Sequence, residues 1–198
     1  MRFSGLTLLA VLLIPWTADA GPPVSAQQID DWIRRTRPNS PLIGLGGSFI
    51  HNATTLDTPK APRKDRPVDP RLAVAIAYAE TALGTTGIAV NHPDWHNAWG
   101  LKESDGTFAD VSTWQEMIAW VNWQLNLYRQ RGWWGVDNAG GIFGPGHWVG
   151  GGASDSYIRA VRGAITELGG DPDDLEYGGG GYPLSSNSGL CTGSFHFR

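Results

Sequence analysis

The sequence predicts a mainly α (α+β) domain: a central buried helix, a small inserted β-hairpin beside it, and a cleft where the two meet. Three observations carry this. The run 70–83 is apolar nearly all round, as only a helix enclosed on most sides can be. Two further stretches, 114–131 and 156–168, repeat their apolar residues at helical spacing. Between the first and second of these helices, Asp105-Gly106 separates two short runs, which is a hairpin signal.

Each element has its own justification. Residues 1–20 hold Arg2, an apolar run over 6–15 and the small-residue pattern Ala18-Asp19-Ala20, so they read as a signal peptide cut after Ala20. No later stretch stays apolar for the length of a membrane span. The mature chain, 178 of the 198 residues, suits one domain over 21–172, followed by a Gly/Ser-rich tail, 173–198. From 178 onward that tail lacks the apolar content to offset its ordering entropy. Ser25 and Gln28 form a capping box that opens a helix to about Thr36, with Ile29, Trp32 and Ile33 on one face. Residues 38–47 are turn-rich and 54–69 polar and proline-punctuated, so whatever lies between them is a short helix or strand. Asp69-Pro70 caps the central helix and Gly84 stops it. Ser112 or Thr113 caps the next helix, Ser154 or Ser156 the last, and Gly169-Gly170 ends it.

Composition excludes several functions. The net charge is -4 and the only basic cluster is Arg34-Arg35-Thr36-Arg37, so no nucleic-acid partner is expected. Cys191 is the single cysteine, which leaves no internal disulfide for an exported chain. His92-Pro93-Asp94-Trp95-His96 holds possible metal ligands, but a proline and a bulky Trp in so short a loop make coincidence the better reading. The glycine clusters lack the context of phosphate loops, and no Gly-x-Ser-x-Gly elbow occurs. No cofactor or metal is therefore expected. Ten Trp in 198 residues is a heavy aromatic load, which serves cores and sugar-binding clefts alike.

One acid does not fit its surroundings. Residues four apart on a helix stack in a row, so Leu72, Ile76 and Glu80 share a stripe that is otherwise apolar. A carboxyl group withdrawn from water either pairs with a cation or stays protonated near neutrality. No Lys or Arg stands at 76, 77, 83 or 84 to neutralise it. A protonated acid in a cleft wall is what glycosidic cleavage needs, because the leaving oxygen must receive a proton. Helix geometry equally allows a solvated acid at the rim.

The pattern from Asp69-Pro70-Arg71 through Glu80-Thr81-Ala82-Leu83-Gly84, then Asn97-Ala98-Trp99-Gly100-Leu101-Lys102, resembles the bacterial N-acetylglucosaminidase family of the lysozyme-like superfamily. Phe108, Val111, Ser112 and Trp114, and then Ala153-Ser154-Asp155-Ser156-Tyr157, extend the likeness over roughly 41–168. The resemblance implies a lysozyme-like fold and a secreted or periplasmic, monomeric hydrolase acting on cell-wall glycan, with no membrane contact after signal cleavage. It places Glu80 as the catalytic acid and Asn97 and Trp99 at the cleft floor. Trp99 has a second reading, a core aromatic under the hairpin, and for Tyr157 the core reading is favoured over a sugar contact. Where the family often has a cleft-facing tyrosine, this chain has Gly150-Gly151-Gly152, with Trp148 the nearest aromatic. The second carboxylate is Glu103 or, after it, Asp110, since Asp105 belongs to the turn. Substrate contacts are thus expected from Asn97, Trp99, Asp110, Trp148 and Tyr157. A lytic transglycosylase using one acid, and a non-catalytic glycan-binding module, are the competing functions.

Overall fold

The computed structural model describes residues 23–55 and 67–177; the leader 1–20 and the tail segment 178–198 lie outside the described residues. Among the described residues six α-helices make up almost all of the regular structure: α1 Ala26–Thr36, α2 Gly46–Thr55, α3 Pro70–Thr81, α4 Ile88–Asn91, α5 Trp114–Gln130 and α6 Asp155–Glu167. The mainly helical class is therefore as expected. α3 packs chiefly on α6 and also touches α2 and α5, so the core gathers around it.

The helix starts follow local chemistry. The Ser25 hydroxyl accepts from Gln28 N while the Gln28 side chain accepts from Ser25 N, closing the capping box of α1. Ile29, Trp32 and Ile33 are its buried face. Asp69 accepts from Arg71 N at 2.9 Å and caps α3, Thr113 caps α5 and Ser154 caps α6. The short element after 45 is a helix, α2. Its first residue crosses α1 so closely that a Cβ on Gly46 would collide with the Ala26 carbonyl.

α3 is buried without a break from Pro70 to Ala77, which includes the charged Arg71. Arg71 is matched by Asp69 at 2.7 Å and donates to the Leu168 carbonyl at 3.2 Å, tying the start of α3 to the end of α6. The helix ends at Thr81, two residues short of the expected Leu83, because Ala82, Leu83 and Gly84 are all left-handed, with φ of 48°, 61° and 78°. The Thr81 hydroxyl holds this end: it donates to the Ala98 carbonyl at 2.7 Å and accepts from Gly84 N at 2.9 Å.

Two features differ in detail from the expected outline. The inserted hairpin is not built as strands: residues 101–109 fold back through one antiparallel bridge, Lys102 with Phe108. Asp105 does make the turn, accepting from Thr107 N at 2.9 Å. The packed body also runs past residue 172. Asp69 N donates to the Leu175 carbonyl, Tyr177 N to Pro67 O and the Tyr177 hydroxyl to Val24 O, and both Leu175 and Tyr177 are buried. Among the described residues no helix is long and apolar enough to cross a membrane.

Candidate functional site

Glu80 is the penultimate residue of α3, half-buried where the helix emerges from the core. Its Oε1 accepts two hydrogen bonds, from the Trp148 indole Nε1 at 3.1 Å and from the Tyr157 hydroxyl at 2.8 Å. Its Oε2 faces Gly100, where a Cβ would stand 3.4 Å away. Gly100 has a φ of 60°, which glycine adopts without penalty. No cation pairs with Glu80 among the described residues. Burial raises the Glu80 pKa above the ordinary 4.5, and the bonds from Tyr157 and Trp148 draw it back without cancelling the rise. Burial, reinforced by the charge of Glu80 and the bond to it, pushes the Tyr157 phenol far above its usual range, so its proton stays on to be donated.

Each partner is fixed by its own element. Tyr157 lies in the first turn of α6, its N–H capped by Ser154 and its ring set edge-on to Phe143 at 5.2 Å. Trp148 comes from the loop 132–152. Its backbone N–H donates to Ile142 O at 3.1 Å, and its ring stands edge-on to Tyr128 at 6.3 Å. In the same loop Trp133 stacks on His147 at 3.9 Å, and Asp137 Oδ1 accepts from the backbone N–H groups of Ala139, Gly140 and Gly141. Those three bonds pull the Asp137 carboxyl below its ordinary range. This glycine-rich loop is thus braced from inside.

Of the residues singled out from sequence, the fold brings together Glu80, Trp148 and Tyr157. Tyr157 is no plain core aromatic, since its hydroxyl is spent on Glu80. Asn97 and Trp99 are both placed in the buried interior. Trp99 is 1 % exposed and its indole N–H donates to the Ala73 carbonyl at 2.7 Å, so its ring is core under the 101–109 loop. Asn97 is fully buried; its side chain donates to the Leu101 and Ala109 carbonyls and accepts from Trp99 N and Leu101 N. It shapes the loop that presents Gly100. Glu103 and Asp110 are exposed, and neither is hydrogen-bonded to Glu80. Sequence reasoning missed Gly100 and Thr81 as parts of the site. The signal for Gly100 was the glycine itself, between Trp99 and Leu101.

Away from this centre, His92 stacks on Trp95 at 3.8 Å, Trp95 lies against Phe108, and His96 Nδ1 is bonded to Val111 O. Among the described residues no group of three or more His, Cys, Asp or Glu side chains is placed to hold a metal ion. No family model, curated protein or solved structure matches this chain.

Proposed function

We propose that the protein is a secreted, lysozyme-like glycoside hydrolase that cleaves β-1,4-linked N-acetylated glycan of bacterial peptidoglycan, with Glu80 as general acid. The observation that carries the reading is the carboxyl itself: raised in pKa by burial, without a cationic partner among the described residues, and with one oxygen left clear of hydrogen-bond donors. In the reaction the Oε2 proton passes to the glycosidic oxygen as the C1–O bond breaks. The resulting carboxylate then takes a proton from the incoming nucleophile. Trp133 and Trp134, half-buried on the adjoining loop, supply aromatic surface of the kind that holds sugars.

A second reading has a specific observation in its favour. Glu103 and Asp110 are exposed and unbonded to Glu80, which suits a reaction whose nucleophile belongs to the substrate, as in a lytic transglycosylase. Mass spectrometry of digested cell wall separates the two, because hydrolysis adds water to the product and transglycosylation leaves an anhydro sugar. The function itself is tested with Glu80→Gln. Clearing of a cell-wall suspension should fall by about 10²- to 10⁴-fold, with binding to the insoluble wall retained. Wild-type protein that binds wall and never clears it would mark a binding module.

A further inference from the structure

Trp148 and Tyr157 reach the Glu80 carboxyl from a loop and from α6, and both close on the same oxygen. An indole N–H can only donate, and the Tyr157 hydroxyl keeps its proton, so Oε1 is an acceptor twice over. A protonated carboxyl group has one carbonyl oxygen suited to two donors and one hydroxyl oxygen. With both donors on Oε1, the hydroxyl is Oε2; a proton on Oε1 would cost one of the two bonds. Oε2 is the oxygen beside Gly100, where no side chain stands against it.

We propose that Trp148 and Tyr157 are positioning residues that together confine the transferable proton of Glu80 to Oε2, the oxygen facing Gly100. This rests on the reading of Glu80 as general acid and replaces the expected role of both rings as sugar contacts. When the proton leaves, the same two donors remain on the carboxylate and offset its burial. They therefore set how readily the acid gives up its proton, as well as from which oxygen. The groups that face the carboxyl are few: Tyr157 from α6, Trp148 from its loop, and the uncharged Gly100 from the loop after Trp99. No other charged group of the described residues shifts its titration.

The test uses the mature chain carrying Tyr157→Phe, Trp148→Phe, or both, with two readouts. The first is the titration of the Glu80 side-chain carboxyl in the free protein, followed by carbon NMR. The second is the pH profile of cell-wall clearing, with kcat and KM separated on soluble glycan fragments. Tyr157→Phe keeps the ring against Phe143 and loses only the hydroxyl, so it is the cleaner variant. Loss of a donor should move the Glu80 midpoint upward, and the double variant further. The alkaline limb of the activity profile should follow in the same direction, with kcat down about 10- to 100-fold and KM little changed. A midpoint that stays put or moves down in Tyr157→Phe overturns the proposal, as does a rise in KM at constant kcat, which would return both rings to gripping sugar. If wild-type protein cleaves no glycan, the hydrolase reading fails while the NMR titration still decides whether the two donors act on the Glu80 carboxyl.

Discussion

At position 99 an indole N–H goes to a backbone carbonyl of α3, and at position 148 the same group goes to Glu80. The two tryptophans therefore answer to different experiments. Trp99→Phe should cost about 1 to 3 kcal/mol of stability in denaturant unfolding, by removing the buried indole bond to the Ala73 carbonyl and part of a packed ring, and leave activity per folded molecule intact. Gly100→Ala should do the reverse in emphasis. The left-handed backbone costs about 1 to 2 kcal/mol, while the new methyl, 3.4 Å from Oε2, should suppress wall clearing well beyond that loss. Glu80 itself has a signed effect on stability. Its pKa in the folded state is raised, so the unfolded chain ionises first, and this group costs stability as pH rises through the ordinary 4.5 toward the folded-state value. Glu80→Gln, isosteric and neutral, should melt higher than wild type at neutral pH. The gap should close below pH 4.5, where the acid is protonated in both states. Calorimetry across that range checks the sign.

The helices α1, α3, α5 and α6 were the readable elements, because what starts them lies within three residues of where they start. Ser25, Thr113 and Ser154 each accept from an N–H in the first turn that follows. The hairpin was not, and the reason is specific. Asp105-Gly106 dictates a tight turn but says nothing of the ladder behind it, which stops after the backbone bonds Glu103 N to Thr107 O and Ala109 N to Leu101 O, with the Asn97 side chain closing its open end. One bridge survives between them. The end of α3 is likewise decided at a distance, by the Thr81 hydroxyl reaching Ala98 O across 17 residues. Thr81→Val keeps the shape and removes both bonds of that hydroxyl. It should lower stability by about 1 to 3 kcal/mol and loosen the loop carrying Gly100, seen as faster amide exchange at 97–101.

Across the whole molecule, the site unites residues 68 and 77 positions apart, Glu80 with Trp148 and Glu80 with Tyr157. Periodicity marked Glu80 as an acid on an apolar stripe, since that pattern repeats within one helix. It could not tell that Tyr157 would turn its hydroxyl to it, because that depends on how α6 crosses α3. The packing of 173–177 is hidden in the sequence for the same reason: its Gly/Ser/Asp-rich surroundings mask Leu175 and Tyr177, which are buried because the chain returns to lie beside 67–69. Ending the chain after Gly170 should therefore cost roughly 1.5 to 3 kcal/mol for each of these two side chains, read as a lower midpoint in thermal unfolding.

α3 is enclosed by its neighbours along most of its length, whereas Trp148 stands on the half-buried to exposed stretch 145–152 of its loop, beyond the buried anchors Ile142 and Phe143. These two supports will not give way together on heating. That stretch belongs to the part of the molecule that opens at low free-energy cost, and the enclosed helix to the part that opens only globally. Catalytic competence should thus disappear, reversibly, several degrees before the cooperative transition. A short incubation in that window, followed by cooling, should restore full turnover without any refolding step.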